Sequence, residues 1–305
     1  MTPTPNPAAF EDAVRAHLEP VREQFNYAQM LHTCLSVERF ELWARVVARH
    51  RQVGGARFLS SGCGYAGSLL AYQDAGAATV TGVEVDPDAL RFGSLRVAGL
   101  PNATVVAIEP GPLPFVDDAF DVIESMDVIE HTPDPRAYLA ELARVLAPGG
   151  LILLVTPNRL WPVEQHLDVV GPPWLPVGIA DALFSALARA PWPSRDRRFR
   201  YERLRGMRTH NISARRLRNL ASSLGLFLQV LPPHLYGDGW PLPRHAPWLE
   251  RLAAHRFGSL IAPVRTLAVT LEHADARAAR PAMRRPGAHG AWSRRPPRRC
   301  RAADS

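Results

Sequence analysis

The chain contains no lysine: every one of its 36 basic residues other than histidine is an arginine, which reads as GC-rich coding bias rather than chemistry. Cysteine is scarce. Cys34, Cys63 and Cys300 make no framework of spaced pairs, so a disulfide scaffold is excluded and a reducing, cytoplasmic setting is expected. No stretch of about 18 uninterrupted apolar residues occurs, so a bilayer-spanning helix is not expected. Met1 to Ala8 is proline-rich and uncharged, without the basic start and apolar core of a signal peptide. Acidic residues are fewer than basic ones, giving a net charge of +7, but the excess is local. His273 to Ser305 holds nine arginines and two aspartates, which accounts for all of it and leaves residues 1–272 balanced. A charge surplus confined to a tail with no apolar period predicts a solvated, disordered segment over 273–305. An anionic membrane or nucleic-acid contact through that tail is the other reading; a nucleic-acid partner is not expected for the rest of the chain.

What is present is an alternation of apolar, β-branched runs with helical stretches, the pattern of a parallel sheet with crossover helices. Strands are expected at Arg57–Ser61, Thr79–Val85, Thr104–Ile108, Asp121–Ser125, Leu151–Thr156, Leu226–Leu231 and Thr266–Glu272, the last alternating as an edge or antiparallel strand would. Helices are expected at 8–26, where Phe10, Val14, Leu18 and Val21 recur at helical spacing, and at Val37–Arg49, Ser68–Ala75, Pro87–Ala98, Pro135–Ala147 and Ser213–Leu224. Asp86-Pro87 and Asp134-Pro135 each place an N-cap before a proline at the first helical position. Pro148-Gly149-Gly150 reads as a helix stop and turn. The expected organisation is a helical segment over 1–50, one α/β domain over 51–272 with an insert at 159–210, and the basic tail.

The first strand runs straight into Gly62-Cys63-Gly64-Tyr65-Ala66-Gly67 and then a helix. Glycines there allow a sharp turn and close approach of a ligand, and Glu84 ends the next strand, where a carboxylate can accept ribose hydroxyls. This order points to a nucleoside-containing ligand; the G-x-G-x-x-G spacing alone fits a dinucleotide equally well. Cys63, between the glycines, reads as a packing residue rather than a nucleophile.

Downstream come Leu113-Pro114-Phe115, Asp118-Ala119-Phe120-Asp121-Val122, Asp127-Val128-Ile129-Glu130-His131, Leu142 to Gly150 and Thr156-Pro157-Asn158. With these blocks in collinear order, the stretch from Phe58 to Asn158 resembles the small-molecule class I methyltransferases, the family that includes the ubiquinone-biosynthesis O-methyltransferases. The resemblance implies a Rossmann-like, seven-stranded methyltransferase sheet with helices on both faces, N-terminal helices and an inserted lid. It implies S-adenosyl-L-methionine as cosubstrate. It places Gly62, Gly64 and Gly67 against the methionine part, Glu84 on the ribose, Val85 and Asp86 beside the adenine, Glu109 on the adenine amino group, and Ser125 and Met126 at the methionine and methyl group. The family usually carries an aspartate two residues before the first glycine; here Ser60 stands there, able to make one hydrogen bond but uncharged.

His131 is the candidate general base for a hydroxyl acceptor, since an imidazole exchanges protons near neutral pH; the bland alternative is that Glu130-His131 braces the loop and caps the next helix. Glu164, His166 and Asp168 could ligate a divalent metal but lack a spaced partner set, so a polar substrate wall is preferred and no metal is expected. Between Trp161 and Arg205 the chain is too long for a simple connection. It carries Ile179, Leu183, Phe184 and Leu187 on an apolar helix, then Arg195, Arg197, Arg198 and Arg200. As a lid this would suit a small-molecule substrate with an apolar and an anionic part, or rest on a membrane surface; as plain structure it is an extra packing layer. The fourth strand ends Glu124-Ser125-Met126-Asp127, without the Asn/Asp-Pro-Pro-aromatic segment of base-modifying DNA amino-methyltransferases. A nicotinamide oxidoreductase and a non-catalytic S-adenosylmethionine-binding protein on the same fold stand as rivals.

Overall fold

The computed structural model describes residues 7–24, 26–161, 163–164, 167, 169–204, 212–232, 235 and 265–275. The basic tail from residue 276 onward, His166 and Asp168 lie outside the described residues. The chain opens with three helices, α1 (Pro7–Leu18), α2 (Tyr27–Leu35) and α3 (Glu38–Ala48). The expected single helix over 8–26 stops instead at Leu18, where Glu19-Pro20-Val21 tightens into a 3-10 turn; Pro20 has no N–H with which to continue an α-helical ladder.

A seven-stranded sheet follows, built from β1 (Arg57–Ser61), β2 (Thr79–Glu84), β3 (Ala103–Ala107), β4 (Phe120–Met126), β5 (Leu146–Pro157), β8 (Leu226–Val230) and β9 (Thr266–His273). Its order is β3-β2-β1-β4-β5-β9-β8. The first five strands are parallel, and β9 runs antiparallel to both β5 and β8. β9 is therefore antiparallel but not an edge: its residues Leu267 to Leu271 are all buried.

Crossover helices α4 (Gly67–Asp74), α5 (Pro87–Val97), α6 (Pro135–Val145) and α9 (Ala214–Ser223) cover the sheet. Buried on both faces, the strands read as continuous apolar runs. Phe58, Val122 and Leu153 pack with Trp43, Val46, Leu69 and Tyr72 from α3 and α4 on one side. Leu59, Ile123 and Ile152 pack with Leu139, Leu142 and Leu217 from α6 and α9 on the other. Both expected aspartate caps form: Asp86 Oδ1 accepts the Ala89 N–H at 2.8 Å, and Asp134 Oδ1 accepts those of Arg136 and Ala137 at 2.8 and 3.1 Å.

Pro148-Gly149-Gly150 is not a simple turn. Phe120 pairs with Leu146 while Val122 pairs with Leu151, so the three residues bulge within β5 itself. A Cβ on Gly150 would sit 2.9 Å from the carbonyl oxygens of Ala147 and Asp121, and this close approach is what the glycine permits.

Helices α1 and α2 join the main body through Phe92 of α5, and Arg96 fastens the joint. The buried Arg96 guanidinium donates to the carbonyls of Cys34, Leu35 and Tyr65, and burial pulls its pKa down to about 10. The insert contains a short antiparallel pair, β6 (Val163–Glu164) and β7 (Val169–Val170), then α7 (Val177–Arg189) and α8 (Arg195–Leu204). Leu167, Val169, Phe184 and Leu204 form its own small core. Among the described residues no helix is long and apolar enough to cross a membrane.

Candidate functional site

The parallel strands deliver their carboxyl ends to one edge of the sheet, the position where ligands bind in open α/β folds. The loop after β1 turns on Gly62 and Gly64, both at positive φ (76° and 51°), a region that costs a glycine little. The N–H groups of Gly62 and Cys63 both donate to Val83 O at 3.0 Å, stitching the loop to β2. The Glu84 carboxylate completes the stitching. Its Oε2 accepts the Gly64 N–H at 2.7 Å, and its Oε1 accepts those of Val85 at 2.8 Å and Asp86 at 3.0 Å.

Cys63 lies buried against Gly82, where any Cβ would fall 2.6 Å from its Sγ. Burial, with the Glu84 charge adding to it, pushes its thiol up to about 12, so it packs and does not act as a nucleophile.

Among the described residues two cavities open at this edge. The first, about 770 Å³, is lined by Gly62, Glu84, Val85, Glu109, Met126 and His131 among others, with apolar walls from Val83, Ile108, Leu113 and Val128. The second, about 710 Å³, lies under the N-terminal helices and is lined by Gln29, Met30, Arg39, Trp43, Tyr65 and Arg265 among others. Met126 and Asp127 line both. Asp127 takes a positive φ of 56°, and its carboxylate pairs with Arg39 at 3.3 Å.

The remaining expected residues serve the site from behind. Asp86 caps α5. Gly67 opens α4, and its bare face meets the Ser36 carbonyl and the Phe40 ring, each 2.7 Å from where a Cβ would be. Ser125 lies one residue behind Met126, sharing a hydrogen bond of 2.8 Å with the Tyr138 hydroxyl, which donates to Ser61 Oγ at 2.9 Å. This Ser61–Tyr138–Ser125 bridge ties the ends of β1 and β4 together, and burial raises the Tyr138 phenol to about 12. Sequence reasoning missed it. In sequence Tyr138 sits at helical spacing with Leu142 and Val145 on α6, and only its hydroxyl hints at more. Arg39 was missed too, because nothing local in sequence links it to the end of β4.

The Glu130-His131 pair divides its work. Glu130 is buried and accepts the Thr156 hydroxyl at 2.9 Å, which braces the turn against β5, while His131 is exposed on the first cavity. The helix cap belongs to Asp134, not to this pair. Ser60 is buried and accepts a hydrogen bond from Ser68 Oγ at 2.9 Å, beneath α4 and outside both linings. Glu164 is buried and accepts the Leu167 N–H at 2.7 Å. Among the described residues no group of three or more His, Cys, Asp or Glu could hold a metal ion.

Comparison with known proteins agrees with this geometry. Residues 59–154 match a family model described as a methyltransferase domain. That segment is a class I S-adenosylmethionine-dependent methyltransferase domain. A ubiquinone biosynthesis O-methyltransferase of Xanthomonas oryzae pv. oryzae is 35% identical over 133 residues, which is 41% of this chain and 52% of that protein. A probable tocopherol O-methyltransferase of Oryza sativa is 35% identical over 111 residues, 35% of this chain and 31% of that one. The chain thus spans about half or less of the curated relatives it matches. In fold it is similar to an S-adenosylmethionine-dependent methyltransferase from Mesorhizobium loti, with a TM-score of 0.51 at 17% identity over 77% of this chain and 99% of that one. S-adenosylmethionine is the cosubstrate of the methyltransferase domain, and its seven-stranded sheet has the strand order of methyltransferases.

Proposed function

We propose that the chain transfers the methyl group of S-adenosylmethionine to a small-molecule acceptor, at oxygen. The observation that carries this is the meeting of two cavities at Met126 and Asp127, one bordered by the glycine loop and Glu84, the other roofed by the N-terminal helices. The residues fit the cosubstrate. A mostly apolar slot bordered by Glu84, Val85 and Glu109 suits an adenosine, with one carboxylate for the ribose and another for the adenine amino group. Arg39 lines the second cavity beside Asp127, which borders both, and is the cation suited to the methionine carboxylate where the two cavities meet. The second cavity then receives the acceptor.

The sulfonium of the cosubstrate supplies the activated methyl group. The protein's work is alignment and exclusion of water. The Ser61–Tyr138–Ser125 bridge holds the strand ends in register beneath the ligand, and Met126 stands between donor and acceptor spaces. His131 lines the cosubstrate cavity, so it would take the proton of a hydroxyl acceptor that reaches past Met126 to the sulfonium. An oxygen acceptor also agrees with the relatives' names, both of which are O-methyltransferases.

Calorimetry tests the reading. S-adenosylmethionine and S-adenosylhomocysteine should bind and NAD should not. Turnover with a panel of catechols and phenols should then fall in His131→Asn while S-adenosylhomocysteine affinity holds. Binding of NAD without S-adenosylmethionine would overturn the assignment; turnover unchanged in His131→Asn would remove the histidine from it.

A further inference from the structure

The insert's described residues do not line either cavity of the site. The expected apolar face of α7 is in fact two faces. Phe184 is buried and Leu187 half-buried in the insert's own core, and Ala188 is buried as well. Gly178, Ile179, Ala182, Leu183 and Ala186 are exposed, at the spacing that puts them along one stripe. Ile179 is 56% and Leu183 44% exposed. That stripe has no charged side chain until Arg189 at its end. Trp174, just before α7, and Trp192, just after it, are exposed at 59% and 64%.

The charge around this stripe is mostly positive, Asp181 being the one acid on α7 itself. From Arg189 to Leu204 the chain carries six arginines against Asp196 and Glu202. Arg200 is spent internally, on Asp196 and the Leu167 carbonyl. Arg189, Arg195, Arg197 and Arg198 are exposed, and Arg198 donates to the Ala190 carbonyl, which sets it at the C-terminal end of α7 beside Trp192.

We propose that this face of the insert rests on an anionic lipid surface. The stripe Ile179–Ala182–Leu183–Ala186 enters the acyl boundary, Trp174 and Trp192 seat at the interface, and the arginines meet the headgroups. A helix of 13 residues is too short to span a bilayer but long enough to lie in its surface plane. Tryptophan at the headgroup level and arginine beside an apolar face are the chemistry that such a surface selects.

The test is cosedimentation of the full chain with vesicles of phosphatidylglycerol and phosphatidylcholine in equal parts, against vesicles of phosphatidylcholine alone. Binding to the first, weakened as salt rises from about 0.1 to about 1 M, is expected. Because the tail from His273 also carries arginines, the decisive variant removes no charge. Ile179→Ser with Leu183→Ser should weaken binding by about tenfold or more, from the lost burial of two large side chains. Ala182→Glu, at an exposed position, should do likewise by placing a carboxylate in the interface. Both variants should melt as the wild type does and bind S-adenosylhomocysteine unchanged, so the outcome is separable from that of the methyl-transfer reading. Absence of vesicle binding by the wild type, or equal binding by folded Ala182→Glu, overturns the proposal.

Discussion

The Gly64 N–H points into the Glu84 carboxylate at 2.7 Å, so the acid at the end of β2 also sets the shape of the loop after β1. With the Val85 and Asp86 N–H groups on its other oxygen, Glu84 is fixed from three sides. A carboxylate held this way keeps one lone pair, on Oε2, for a ligand hydroxyl and loses little rotamer freedom when it arrives. The glycine loop and the ribose acid, legible in sequence as two separate motifs, are one hydrogen-bonded unit.

Glu84→Gln should therefore weaken S-adenosylhomocysteine binding by about 10- to 100-fold, as loss of one charge-assisted hydrogen bond is worth about 1.5–3 kcal/mol. The amide NH2 must face at least one backbone N–H donor, so the loop itself is disturbed. Calorimetry reads the affinity, and amide exchange at Gly64 should rise in the same variant. Unchanged affinity would show that Glu84 serves only the loop.

Tyr138→Phe removes the hydroxyl that joins Ser61 to Ser125 without removing the ring. The expected loss is about 1–3 kcal/mol of unfolding free energy, one to two net hydrogen bonds, measured by urea denaturation. Ser61 and Tyr138 also line the first cavity, so S-adenosylhomocysteine affinity should fall along with stability.

Gly67→Ala is a test of how the N-terminal helices dock. The added Cβ would lie 2.7 Å from the Ser36 carbonyl oxygen and from the Phe40 ring, and the carbonyl cannot swing away as a long side chain can. The chain between α2 and α3 must shift, at a cost of about 1–3 kcal/mol. The melting temperature should drop; a wild-type value would mean that Ser36 and Phe40 are less firmly seated than the structure places them.

The parallel strands were legible because burial on both faces leaves them continuously apolar, and two helix starts were legible because Asp-Pro is a local, nearly self-sufficient cap. What escaped depends on partners far away in sequence. The Arg39–Asp127 pair spans 88 positions, and the bridge from Tyr138 reaches Ser61 across 77. The misreading of α7 has a simpler origin. At 100° per residue, Phe184 lies far round the helix from Ile179, so the two could not share a face, and the small core under Phe184 claimed one side while the other stayed outside.

The last prediction concerns Glu124, which pairs in register with Ser60 on the neighbouring strand and is 1% exposed. Burial raises its carboxyl to about 8, more than the Arg39 charge and the Tyr72 and Ser68 hydroxyls lower it. In the unfolded chain it titrates as an ordinary glutamate, near 4.5. Between these values the folded protein keeps a proton that the unfolded chain has released. Stability from this group is thus fully present below about pH 4.5 and is lost as pH rises towards about 8, with a limiting slope of about 1.4 kcal/mol per pH unit. Glu124→Gln, isosteric and uncharged, should remove that slope: denaturation at pH 5.5 and 7.5 should show the wild type losing stability relative to the variant as pH rises. Parallel pH dependences would show that the carboxyl is ionised in the fold, with the Arg39 charge outweighing burial.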